Sequence, residues 1–115
     1  MKREYADYLN DIIEASGKIE LFIKGKTYKT FFDDEKTQLA VIRCLEIIGE
    51  AVKKIPAAIK QKYPKVPWKD MAGMRNKLIH EYFGVNLIVV WHTITEELPP
   101  LRKIFLEIAH RHNRT

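Results

Sequence analysis

The sequence predicts an all-α fold, a bundle of four main helices with shorter helical pieces between them. Three observations predict it. Apolar residues recur three and four positions apart along most of the chain, the repeat of a helix that buries one face. Gly, Pro, Asp and Asn fall where those patterns begin and end, as helix boundaries require. Strand-like alternation is sustained nowhere, and no internal repeat is visible. At 115 residues the chain reads as one domain, long enough to bury a single core.

The first helix is expected from about Glu4 to Ile23, carrying Tyr5, Tyr8, Leu9, Ile12, Ile19, Phe22 and Ile23 on its apolar face. Lys24-Gly25-Lys26 ends it, because Gly adopts the left-handed backbone that stops a helix. Thr27 to Phe32 reads as a connection whose aromatic residues pack onto the bundle. Asp33 or Asp34 caps a second helix that runs to about Ile55, placing negative charge at its positive end. Val41, Leu45, Ile48, Val52 and Ile55 form one stripe, widened by Ala40, Cys44, Ile47 and Ala51. A face so broad belongs to a central bundle helix or to one packed against two neighbours. Pro56 to Lys62 reads as a short helix, and Tyr63-Pro64-Lys65-Val66-Pro67 as a stiff extended link. A further helix starts at Pro67 and ends near Gly84. Asn86 caps the next, with Leu87, Val90, Trp91 and Ile94. Pro99-Pro100 is expected to interrupt the pattern before a last helix carrying Leu101, Ile104, Phe105, Ile108 and Ala109.

Composition narrows the functional classes. No apolar run approaches the roughly 20 residues that span a bilayer. The N-terminus leads straight into a helical pattern with no secretory signature, so a cytoplasmic location is expected. The lone Cys44 excludes an internal disulfide framework and reads as a buried core thiol. A net charge of +5 and a pI near 9.3 favour polyanionic partners. The densest basic clusters are Lys24-Lys26-Lys29, Lys60-Lys62-Lys65 and the tail His110-Arg111-His112-Arg114. Each read alone is equally a solvated face. Gly-rich phosphate loops, Cys/His metal clusters and nucleophile elbows are absent from the sequence.

The most informative stretch is Met71 to Tyr82 (MAGMRNKLIHEY). At 100° per residue, Trp68, Met71, Ala72, Leu78, Ile79 and Tyr82 fall within roughly 60° of Arg75. Gly73, Asn76 and His80 lie together, about 100–160° round from it. A guanidinium centred on a burial stripe is costly unless it is paired or faces a cleft. This helix therefore borders a site.

Arg-Asn-x-x-x-His with Tyr two residues after the His resembles the motif of HEPN-domain proteins. Within them the chain most resembles HepT, the toxin half of a bacterial and archaeal toxin–antitoxin pair. Two more segments carry the resemblance. Ala40 to Pro56 (AVIRCLEIIGEAVKKIP) is similar to the family's central helix, and Trp91 to Leu101 to its Trp…Leu-Pro-x-Leu segment. The resemblance implies a metal-independent ribonuclease whose composite site is built from two motifs in a dimer. It also implies that Tyr82 is adenylylated by the partner antitoxin, a minimal nucleotidyltransferase. Nucleotide attached there would set bulk and negative phosphate beside Arg75.

The residues themselves suit that chemistry. Metal-free RNA cleavage needs a base for the 2′-OH proton, an acid for the leaving 5′-oxygen, and positive charge on the phosphorane. An imidazole with a pKa near 6.5 performs either proton transfer. An arginine forks onto phosphate oxygens. An amide fixes the imidazole tautomer or binds phosphate. His80, Arg75 and Asn76 offer those three groups, with no cofactor and no metal required. One chain supplies one such histidine, so a homodimer or higher assembly would bring two sets to one cleft. Gly73 removes bulk where two motif helices would approach.

Plainer structural roles stand beside these. His80 reads also as a satisfied structural histidine, and Asn76 as a helix-surface amide. Tyr82 reads as a core tyrosine whose hydroxyl reaches the edge. Arg75 reads as one half of a buried ion pair, with Glu50 the tempting partner and possible support for the site. Lys36, Arg43, Glu46, Glu50 and Lys54 share one helical face, however, which reads most simply as solvated. Two functional readings follow. One is a HepT-like toxin ribonuclease. The other is a non-catalytic HEPN subunit that binds a nucleotidyltransferase or nucleotide. A basic helical DNA-binding protein is the weakest reading, since no helix clusters base-reading Arg, Lys and Asn.

Overall fold

The computed structural model describes residues 4–80 and 86–113, with side chains at 4–74 and 86–112. These residues are helical and contain no strand. The elements are α1 (Tyr5–Ile23), α2 (Tyr28–Phe32), α3 (Glu35–Lys53), α4 (Ala57–Lys62), α5 (Trp68–His80), α6 (Leu87–His92), a π-helical turn (Thr93–Glu97) and α7 (Leu98–Asn113). The four long ones, α1, α3, α5 and α7, are the four main helices expected.

Local chemistry sets the boundaries. Glu4 and Asp7 close a reciprocal cap at the start of α1, the Glu4 amide donating to the Asp7 carboxylate at 3.0 Å. Gly25, at φ 77°, turns the chain out of α1 in the left-handed region. The segment expected as a connection is instead the short helix α2. Thr27 and Thr30 hold it by exchanging bonds, the Thr30 amide donating to the Thr27 hydroxyl at 3.2 Å and the Thr27 amide to the Thr30 hydroxyl at 2.9 Å. Gln38 then donates to the carbonyls of Phe31 and Phe32 at 2.9 and 2.7 Å, satisfying the exposed end of α2.

Asp34 caps α3 as expected. Its carboxylate accepts from the Thr37 hydroxyl at 2.6 Å, the Thr37 amide at 3.1 Å and the Lys26 ammonium at 2.9 Å. These bonds, led by the Thr37 hydroxyl, hold the Asp34 carboxyl well below the usual carboxylate range.

Helix α3 is the central element. It buries Val41, Ile42, Cys44, Leu45, Ile48, Gly49, Ala51 and Val52 and packs on α1 and α5. Burial pushes the Cys44 thiol pKa up, which suits a core thiol and not a nucleophile. Helix α7 closes the bundle against α1. Gly17 lies against α7: a Cβ there would lie 2.8 Å from the Arg102 guanidinium, the movable end of a long side chain. At the end of the same seam, the Tyr5 hydroxyl bonds His112 Nδ1 and the two rings meet edge to face.

Asn86 caps α6 as expected, accepting from the amides of Ile88 and Val89. The expected break at Pro99-Pro100 does not occur. Both prolines sit in the first turn of α7, where the missing N–H groups matter least. The π-helical turn just before them makes this possible. The Leu98 amide reaches back five residues to the Thr93 carbonyl, widening the backbone one turn ahead of the proline rings. The hydroxyls of Thr93 and Thr95 donate to the carbonyls of Val89 and Trp91.

Candidate active-site helix and family

Helix α5 is positioned from its N-terminal end. Val66 is buried, and the Trp68 indole N–H donates to the Tyr63 carbonyl at 3.0 Å. The Trp68 ring meets Phe105 of α7 edge to face, with centroids 5.6 Å apart. Met71 is buried, while Ala72 and Met74 are half-buried against the core. The first half of the expected stripe therefore faces the core. Leu45 and Ile48 of α3, with Met71 and Met74, line a cleft of about 100 Å³ that Thr93 and Glu97 border from the π-helical turn.

The backbone of α5 stays helical through His80. That fixes the register of the candidate residues. Asn76 and His80 stand one turn apart, and Gly73 lies on the same side one turn earlier. Met71 and Arg75 are likewise one turn apart. The side chains of Arg75, Asn76 and His80, and the whole of Tyr82, lie outside the described residues. Gly73 is exposed, and a Cβ added there would meet nothing within 4 Å.

Glu50 is half-buried and lines a different cleft, of about 190 Å³, between α1 and α3. Its neighbours there are Tyr8, Asp11, Arg43, Ile47 and Lys54. Leu45 and Ile48, by contrast, line the α5 side of α3. The uniformly solvated face expected of α3 is thus only partly realised. Arg43 is exposed and pairs with Glu46 at 3.5 Å, whereas Glu50 turns toward α1. Among the described residues no group of three or more His, Cys, Asp or Glu stands together as a metal site. No helix among them is long and apolar enough to cross a membrane.

Comparison with known proteins adds the family. The model of the "Ribonuclease HepT-like" family matches residues 12–108. A Thermococcus cleftensis protein named "Probable ribonuclease HepT" is 52% identical over 105 residues, covering 91% of this chain and 96% of the relative. A Methanocaldococcus jannaschii protein named as a candidate RNase is 49% identical over 107 residues, 93% of this chain and 88% of its own. Another so named, from Caldanaerobacter subterraneus, is 46% identical over 104 residues, 90% and 93% of the two chains. No solved structure gives a significant match. The family match spans most of the chain, from within α1 to within α7, and takes in every residue of the candidate set: the chain belongs to the HepT-like ribonuclease family.

Proposed function

We propose that this protein is a HepT-like toxin ribonuclease that cuts RNA in the cytoplasm without a metal. The observation that carries the reading is Arg75, Asn76 and His80 on one unbroken helix in a chain of this family. The 2′-oxygen of the substrate attacks its own phosphorus. The 2′-OH proton passes to one imidazole, and the departing 5′-oxygen takes a proton from a second acid. Arg75 neutralises the phosphorane, and Asn76 holds the His80 ring or a phosphate oxygen. The P–O5′ bond breaks, leaving a 2′,3′-cyclic phosphate and a 5′-hydroxyl. Purified protein incubated with RNA in EDTA tests this. Cleavage should persist, and the fragments should carry 2′,3′-cyclic phosphate; a strict divalent-ion requirement overturns the reading.

The acid and base come from two copies of α5 in a symmetric homodimer. The open space over Gly73 supports this, since a Cβ added there would meet nothing within 4 Å and Gly73 itself adds no bulk against a second helix. Sedimentation at micromolar concentration should give a dimer or larger assembly. A monomer alone, or a dimer with its His80 side chains on opposite outer surfaces, counts against a shared cleft. In this reading a partner nucleotidyltransferase restrains the enzyme by adenylylating Tyr82.

A further inference from the structure

Six lysines gather where α3 gives way to α5. Lys53 ends α3 and Lys54 caps it, Lys60 and Lys62 stand in α4, Lys65 in the link, and Lys69 in α5. No Asp or Glu falls between Glu50 and Asp70, so this segment alone exceeds the +5 net charge of the whole chain. Five of the six are exposed and Lys60 is half-buried. None forms an ion pair among the described residues. The other two basic clusters differ. Lys26 is held by Asp34, and Arg111 by Glu107 at 2.8 Å.

The backbone beneath these lysines is fixed. Ile55 and Val66 are buried on either side of α4, and the Trp68 indole ties down the Tyr63 carbonyl. Lys53 and Lys54 also offset the negative end of α3. Lys60 and Lys62 stand likewise in the last turn of the short α4, while Lys65 and Lys69 have no such role. Lys69 precedes Arg75 by six residues of one helix, about 9 Å along its axis.

From this we infer that the lysine end of the bundle is a landing surface for single-stranded RNA, gripping the phosphates that flank the scissile bond and leading the strand onto α5. It rests on the ribonuclease reading and adds where the substrate lies. Lysine, a point charge on a flexible stem, suits phosphate contact without base readout. Binding here is therefore sequence-tolerant and strongly salt-dependent.

The test is the triple variant Lys60→Glu/Lys62→Glu/Lys65→Glu beside the wild type, none of the three belonging to the catalytic set. Binding is read by fluorescence anisotropy on a 20-nucleotide 2′-O-methyl RNA, which cannot be cut. The triple variant should bind more than tenfold more weakly at low salt. Its log–log salt slope should shrink by about two, at roughly 0.7 for each phosphate of a single strand that is no longer neutralised. On cleavable RNA, KM should rise while kcat holds. A Lys→Arg triple should bind like wild type, which separates lost charge from lost folding. Unchanged affinity and slope overturn the surface while leaving the nuclease intact. Retained RNA binding with a lost nucleotidyltransferase complex also overturns it, assigning the lysines to a protein partner. A wild type that binds through these lysines yet cleaves nothing sustains the surface and sinks the ribonuclease reading.

Discussion

Replacing His80 with alanine is expected to lower RNA cleavage by about 10²–10⁴-fold, the range for one positioned acid–base group. That corresponds to about 3–5 kcal/mol of lost transition-state stabilisation. The loss should fall on kcat and kcat/KM together, because proton transfer is needed in the transition state and not for binding. In the proposed dimer the substitution removes both imidazoles, and the drop would be steeper than one chain suggests. Thermal stability should barely move, the α5 register being set upstream by Trp68 and Met71. Cleavage by His80→Ala at the wild-type rate in EDTA would remove His80 from the mechanism. A collapse in melting temperature would show instead that the imidazole is structural.

Adenylylation at Tyr82 is expected to silence the enzyme altogether. Attack of the Tyr82 hydroxyl on the α-phosphorus of ATP forms the Tyr–O–P bond, and pyrophosphate leaves. The product carries a bulky nucleotide and a phosphodiester charge two residues beyond His80. In the proposed site that phosphate competes with RNA for Arg75. Incubation with the partner nucleotidyltransferase and ATP should add adenylate mass to wild type and abolish cleavage. Tyr82→Phe removes one hydroxyl and keeps the ring. It should keep cleaving, gain no mass and resist the antitoxin. Full adenylylation of Tyr82→Phe would place the acceptor elsewhere. An unmodified but inactive Tyr82→Phe would move Tyr82 into the catalytic set.

Periodicity and caps made most of the fold legible. Gly25, Asp34 and Asn86 stop or start helices where their side chains and backbone preferences require, and the structure uses all three. The breadth of the α3 stripe foretold a helix between two neighbours, and α3 packs on both α1 and α5. Two features were not legible. Helix α2 is too short for a periodic pattern, and its stability comes from the Thr27–Thr30 exchange and the Gln38 amide, a tertiary contact. The continuity through Pro99-Pro100 was hidden because proline signals a lost N–H without telling where the preceding backbone has already adjusted. Of the candidate residues only a backbone register is common to sequence and structure: helical spacing puts Asn76 and His80 one turn apart, and α5 is helical through both. Glu50 was harder to place, because it stands at the border between two helix faces and lines a cleft shared with Tyr8 and Asp11 of α1.

The π-helical turn behaves as a dislocation in an otherwise continuous screw from Leu87 to Asn113. Such a defect holds one surplus residue, and in a plain helix it can creep along one bond at a time. Here it is trapped. Pro99 and Pro100 offer no N–H to carry it toward the C-terminus. On the other side, the Thr93 and Thr95 hydroxyls add bonds to the carbonyls of Val89 and Trp91 and tie the helix there. The side from which Phe105 meets Trp68 does not depend on it. Because the turn absorbs its surplus residue locally, removing one residue between 93 and 97 would close it to an ordinary α-helical turn and leave Phe105 facing the base of α5.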